Sequence, residues 1–211
     1  LEFRRVLFRS NMKEVQGFGD HAVATLQANA VDNQEMGIHG WYHVECRDAQ
    51  GNLKWTEEFP NLVVAAGKQL MLDTLLKGSS YSVTGPFLGL TNATLTPAAT
   101  DTMTTLVGGG KEFTNYTVGG SAVRGTATFS SSTSSGTTPS NVTTSTASAI
   151  TYTITGAGGT VYGCFLVTGT GASSSQGNTG GTLYSVGNFA TSKITTAGDT
   201  VAVTYSTTAT S

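Results

Sequence analysis

The chain has 211 residues, a formal net charge of −2 and only 11% charged residues. This length favours a single domain with its own hydrophobic core. The weak charge provides no basic surface for nucleic acid or anionic lipid, and the longest apolar run, residues 62–66, is far too short to span a bilayer. We therefore expect neither a nucleic-acid partner nor a membrane.

The N-terminal region divides into two parts that carry little fold information. Residues 1–10, LEFRRVLFRS, equal the translation of a common sequencing-adapter oligonucleotide, so we interpret them as an artefact of sequence assembly. Residues 11–35 have no sustained hydrophobic period, and their structure is left open. We expect the protein to start at Met12 or Met36, with a single domain over residues 36–211.

A β-hairpin is predicted directly after this region. The segment GWYHVECRD, which starts at Gly40, is rich in aromatic and β-branched residues and predicts a strand. Residues 48–52 include Gly51 and are typical of a hairpin connection. Residues 53–57 alternate as the returning strand, which places Leu53 and Trp55 on one face.

One short α-helix is predicted near residues 65–77. Before it, residues 61–64 form a mostly apolar run typical of a buried strand. From Ala65 the period changes to that of a helix, with an apolar arc expected to pack on the core and a stop at Gly78. The arc consists of Met71, Leu72, Leu75 and Leu76. A turn at Gly85-Pro86 and a core strand over residues 87–90 follow.

The second half of the chain changes character. Beyond Arg124 only Lys193 and Asp199 are charged, and serine, threonine and glycine dominate. Asp199 follows Ala197-Gly198 in a typical tight turn. Short runs predict strands over residues 124–129, 149–154, 160–167, 182–189 and 200–205. The pattern predicts a mainly β fold, an antiparallel β-sandwich of jelly-roll or immunoglobulin-like type.

The histidines and acidic residues do not form a pattern typical of an active site. His21, His39 and His43 lack an HExxH context. His39 and His43 would lie about 13 Å apart along a strand, too far for one metal ion. Glu57 and Glu58 are adjacent and would face opposite sides of a strand, so they cannot act as an acid and base pair. These observations predict no enzyme and no metal.

The remaining candidates for chemistry are also better explained structurally. The GGGK run ending at Lys111 lacks the rest of a phosphate loop, and an isolated acidic residue, Glu112, stands where Ser or Thr should bind magnesium. We expect no cofactor. Cys46 and Cys164 are far apart in sequence and are predicted to be buried thiols rather than a disulfide.

The aromatic residues allow two interpretations. A cluster in a hairpin is typical of core and cross-strand packing, but exposed aromatic rings would also form a platform for stacking sugars. The residues that could contact a partner surface or a glycan are Trp41, Tyr42, Trp55, Tyr81 and Tyr116.

Two long segments carry a resemblance to a known group of proteins. The run HGWYHVECRDAQGNLKWTEEFPNLVVAAGKQLMLDTLLKGSSY followed by PFLGL, and the closing GTLYSVGNFATSKITTAGDTVAVTYSTTATS, resemble small structural proteins of tailed bacteriophages. The resemblance covers residues 36–211 and supplies no catalytic residue. It implies a virion protein associated with the head or tail, assembled in the host cytoplasm with other virion proteins.

Two functional hypotheses follow. The first is a decoration, fibre-base or tail accessory protein that acts by self-assembly or docking on the particle, as a homo-oligomer. It predicts an exposed apolar patch or an unpaired edge strand. The alternative is a glycan-binding module of a host-recognition or cell-surface protein, with a host surface glycan as the partner.

Overall fold

A computed structural model of the chain describes residues 37–77, 84–130, 140–142 and 149–210. The span Gly37–Thr210 forms one compact unit. The strands are β1 (Gly37–Arg47), β2 (Leu53–Val63), β3 (Phe87–Thr91), β4 (Glu112–Phe113), β5 (Tyr116–Thr117), β6 (Gly125–Thr126), β7 (Ser140–Val142), β8 (Ile150–Ile154), β9 (Gly159–Thr168), β10 (Thr182–Thr195) and β11 (Thr200–Thr210). The helices are α1 (Ala65–Leu76) and α2 (Met103–Leu106). The interpretations of residues 1–35, of Gly78 and of Tyr81 lie outside the described residues.

The strands form one rolled antiparallel sheet. Its order is β4-β3-β9-β10-β2-β1-β11-β8-β5, with β6 beside β3 and β7 beside β11. Strand β2 pairs along most of its length with β1, but with β10 only through Leu62 and Val63. The two ends of the sheet approach each other, because the hydroxyl of Tyr152 on β8 donates to the carbonyl oxygen of Leu88 on β3 at 2.8 Å. The predicted mainly β, antiparallel fold is confirmed, and its strands form a nearly closed cylinder.

The larger core cluster lies inside this rolled sheet. Along β1, burial alternates, so that Tyr42, Val44 and Cys46 face inward and their neighbours face outward. The facing strands contribute further apolar side chains to the same cluster, among them Phe59, Leu88, Tyr152, Val161, Leu166 and Val203.

A second core cluster covers the outer face of β9 and β10. Phe165 and Val167 belong to it, whereas Cys164 and Leu166 belong to the inner cluster. From Gly163 onward strand β9 is therefore buried on both faces, which explains the apolar run that it contains. The outer cluster is completed by residues before and within the helices, including Val64, Met103 and Leu106.

The predicted elements are largely confirmed, but several boundaries differ. Strand β2 is continuous from Leu53 to Val63, where separate strands over residues 53–57 and 61–64 were predicted, and Pro60 pairs with Trp41 in the β1–β2 ladder. Strand β10 extends to Thr195 because a bulge after Asn188 restores its pairing with β9. Helix α2 was not predicted, since it has only four residues.

The helix over residues 65–77 is confirmed, but the face predicted to pack on the core is wrong. Leu75 and Leu76 are 75% and 80% exposed. The helix packs instead through Gly67, where an added Cβ would lie 2.7 Å from the carbonyl oxygen of Tyr184. A glycine allows the helix backbone to approach β10 closely, so the side that faces β10 contains Gly67 and the partly buried Met71, whereas the three exposed leucines lie away from it.

Candidate functional site

The aromatic hairpin does not form a sugar-stacking platform. Trp41 pairs with Pro60, whereas Trp55 pairs with Cys46, an inward-facing residue. The two indoles therefore lie on opposite faces of the sheet. Trp41 is half exposed, and the ring of Trp55 packs against the edge of Phe189 with 5.6 Å between centroids.

Two of the other predicted contact residues are core residues. Tyr42 is fully buried, with its hydroxyl 3.0 Å from the hydroxyl of Ser185. Tyr116 is also buried and packs edge-on against Tyr152. Burial raises the pKa of both Tyr42 and Tyr116 well above the ordinary value for tyrosine. The contact role predicted for these two tyrosines does not fit their burial, because neither ring is accessible to a partner.

A buried ion pair joins Arg124 and Glu112. The guanidinium donates from Nε and Nη2 to the two carboxylate oxygens at 2.7 and 2.9 Å. It also donates to the carbonyl oxygens of Ser173 and Asn178, and it stands 5.3 Å from the ring centroid of Phe165. The sequence suggested that Glu112 is isolated from other charged residues, but in the structure it is paired with Arg124. Both charged groups are almost completely buried, and the pair connects β4 with the segment between β9 and β10.

A second acidic side chain is held at the end of the β10–β11 turn. Asp199 is nearly buried, accepts the backbone N–H of Thr196 at 2.8 Å and lies 2.5 Å from Nζ of Lys54. Burial alone would raise the pKa of Asp199, but the hydrogen bonds from Lys54 and Thr196 outweigh burial and hold the pKa below its usual value. The side chain ties the β2 strand to the turn before β11.

We expect Asp199→Asn to lower the free energy of unfolding at neutral pH by about 2 kcal/mol, the value of a hydrogen bond to a charged group. Because the folded-state pKa of Asp199 is depressed, this stabilisation is present above the unfolded pKa of ~3.9 and is lost as the pH falls through the folded pKa. Urea unfolding of both proteins between neutral and acidic pH tests this. A stability difference that stays constant with pH would contradict it.

A polar groove lies beyond the end of β3. Its volume is about 440 Å³. None of the described side chains that line it carries a formal charge. The residues that line the groove are Asn92, Phe113, Thr114, Asn115, Gly159, Thr160 and Tyr162.

Hydrogen bonds fix the two asparagine amides of this groove. The Nδ2 of Asn115 donates to the carbonyl oxygen of Gly158 at 2.8 Å, and the Nδ2 of Asn92 donates to that of Gly110 at 3.2 Å. The backbone of Asn115 also accepts the N–H of Thr155 at 2.9 Å. The amide positions are therefore set before any ligand arrives.

The remaining candidates from the sequence are metal-binding clusters, membrane-spanning helices and the two cysteines. Among the described residues no group of three or more His, Cys, Asp or Glu could hold a metal ion, and no helix there is long and apolar enough to cross a membrane. Cys46 and Cys164 are buried and unpaired, as predicted. Burial, with a smaller effect of Asp199, raises the pKa of Cys46 to about 11, and burial raises the pKa of Cys164 further.

Comparison with known proteins gives no further assignment. No family model matches the chain, and no curated protein or solved structure is significantly similar to it. Among the described residues, the polar groove and the exposed apolar side chains are surface features that a partner could contact. The buried charges and tyrosines stabilise the fold.

Proposed function

We propose that the chain is a non-enzymatic structural protein of a tailed-phage virion, a decoration, fibre-base or tail accessory component that acts by assembly. The observation that supports this is the leucine surface of α1, which consists of Leu72, Leu75 and Leu76. These side chains are 49%, 75% and 80% exposed. Contiguous apolar side chains on a surface are typical of an interaction site.

The partner that best fits the leucine surface is a second copy of this chain. The three leucines share one arc of the helix, and Asp73 and Lys77 lie together on one flank of it. When two such helices pair antiparallel about Leu75, Asp73 of each copy faces Lys77 of the other. A two-fold interface of this kind is self-complementary, so one sequence supplies both the apolar contacts and the opposite charges.

The geometry of α1 suits this role. The N-terminal half of the helix is held against β10 through Gly67, and the hydroxyl of Tyr184 lies 3.5 Å from the sulfur of Met71. The following leucines therefore project from an anchored helix. Burying a leucine side chain stabilises an interface by about 1.5–3 kcal/mol relative to leaving it exposed.

The proposal includes the finer fold expected for such a component, a jelly-roll or immunoglobulin-like sandwich. Two facing layers are supported by the inner core, which both halves of the rolled sheet enclose. They are also supported by the narrow connection between β2 and β10 through Leu62 and Val63. A solved structure of the chain would test this assignment by its strand pairing.

The experiment compares the mass in solution of the full chain with that of Leu75→Glu/Leu76→Glu, by light scattering across the micromolar range. We expect the unchanged chain to self-associate and the variant to be monomeric. The matched control is Leu53→Glu/Ile194→Glu, since Leu53 and Ile194 are exposed apolar residues of β2 and β10. The control is expected to self-associate like the unchanged chain.

A second measurement addresses the virion. The labelled chain is mixed with particles of the tailed phage whose genome carries this gene, and the particles are sedimented. We expect the chain to co-sediment with the particles. A strict monomer that does not sediment with particles would overturn the proposal. Portal, coat or tail genes beside the coding sequence would support it.

A further inference from the structure

We propose that the polar groove beyond β3 binds a neutral, hydroxyl-rich ligand, a saccharide. This goes beyond assembly, because it gives the chain a recognition site that does not include α1. It also differs from the aromatic hairpin platform, which the structure does not form.

The groove exists because β3 is shorter than its neighbour. Strand β9 pairs with β10 from Gly159 onward, but its pairing with β3 starts only at Gly163. None of the first four residues of β9, residues 159–162, therefore pairs with β3, although residues 159–161 pair with β10. The segment that follows β4 stands across this gap and contributes Thr114 and Asn115.

The lining suits hydroxyl groups better than charged or apolar ligands. Amide and hydroxyl side chains can both donate and accept hydrogen bonds, as sugar hydroxyls do. The described lining carries no formal charge, so it offers no counter-ion to a phosphate, a carboxylate or a cation. The volume of about 440 Å³ lies within the ~300–1,000 Å³ of small-molecule sites.

The fixed amides favour binding. The Nδ2 groups of Asn92 and Asn115 each use one hydrogen on a backbone carbonyl oxygen, which orients the amide. The remaining donor and the carbonyl oxygen of each amide are then available without a further loss of rotamer freedom. Gly159, whose φ is 152°, continues the groove as backbone without a side chain to fill it.

The closed ends of the groove disfavour an extended peptide. At one end the amide of Asn115 bridges to Gly158, and at the other the β3 strand occupies the ladder position from Thr91. The unpaired edge between them spans only residues 159–162. An added strand needs an open sheet edge along which its backbone can continue, so a compact ligand fits this gap better.

The test is a panel of immobilised neutral and acidic oligosaccharides, probed with the full chain and with exposed-site variants. We expect binding to at least one neutral saccharide, weakened about tenfold by Asn92→Ala and by Thr114→Ala, since each removes a hydrogen-bonding group. Gln50→Ala and Thr151→Ala are matched controls, because both residues are exposed and lie outside the lining. The controls should bind like the unchanged chain, and far-UV circular dichroism should show all four variants folded.

Three outcomes would overturn the proposal. They are no binding to any neutral saccharide, binding that neither groove variant weakens, and binding to acidic saccharides alone. The result is separable from self-association, since Leu75→Glu/Leu76→Glu leaves the groove intact and should retain saccharide binding. If Leu75→Glu/Leu76→Glu is monomeric but still binds the saccharide, the groove is a binding site that does not depend on self-association.

Discussion

Arg124→Met is expected to lower the free energy of unfolding by about 3–5 kcal/mol, because it leaves a buried carboxylate without its charged partner. The carboxylate of Glu112 would keep only the backbone N–H of Gly177, at 2.8 Å. The carbonyl oxygens of Ser173 and Asn178 would lose their donors at the same time. Urea unfolding followed by far-UV circular dichroism measures the loss.

The double variant Arg124→Met/Glu112→Leu separates charge from packing. Removing both charges abolishes the uncompensated carboxylate, so the double variant should recover most of the stability lost by Arg124→Met. Arg47→Met is the matched control. Its guanidinium is 48% exposed beside Glu45, so the change should cost less than about 1 kcal/mol. A loss below 1 kcal/mol for Arg124→Met would contradict the structural role of the pair.

The same pair orders a long connection. Arg124 binds backbone on both sides of residues 174–177, and the N–H of Gly177 reaches Glu112. This segment lies between β9 and β10, and its side chains are largely polar. A buried, fully bonded guanidinium gives the segment a fixed position that its own sequence would not provide. We infer that the segment depends on Arg124 more than on its own apolar contacts.

The regular elements were predictable because their signals are local. Alternation of apolar residues identified the strands of the hairpin and of the C-terminal half, and the turns at Gly51 and Gly198 have the positive φ values of 86° and 88° that glycine allows. The boundaries of α1 followed from its change of period. Each of these properties is set by neighbours within a few residues along the chain.

The features that failed depend on contacts between distant parts of the chain. A helical wheel shows that Leu72, Leu75 and Leu76 share an arc, but it does not show which side of the helix meets β10. Gly67, with its close approach to β10, was the available signal. In the same way, no local pattern around Glu112 in the sequence predicts its ion pair with Arg124.

The groove could not be predicted from any motif. It depends on the lengths of two neighbouring strands, β3 and β9, and on the pairing that leaves residues 159–162 without a second partner. The lining residues come from three separate parts of the chain. The indoles, in contrast, could have been assigned to opposite faces once the register of the hairpin was counted, because alternate residues face opposite sides.

Phe59→Ala is expected to lower the free energy of unfolding by about 3–5 kcal/mol, the usual effect of removing a buried phenylalanine ring. The ring of Phe59 is 4% exposed. It stacks on Tyr42 with 5.3 Å between centroids and meets Phe189 edge-on at 5.1 Å. It also packs on Gly187, where no side chain could fill the space left behind. The change therefore opens a cavity at the junction of β1, β2 and β10.

Trp41→Ala is the matched control, since Trp41 belongs to the same hairpin but faces outward and is 50% exposed. It should cost less than about 1 kcal/mol, because surface substitutions seldom cost more. Unfolding is followed by far-UV circular dichroism, which does not depend on the tryptophan signal. Equal losses for the two variants would contradict the opposite orientation of the two rings. A large loss of stability confined to Phe59→Ala would show that Phe59 belongs to the core and that Trp41 does not. Trp41 would then be accessible to a partner on the outer face of the hairpin.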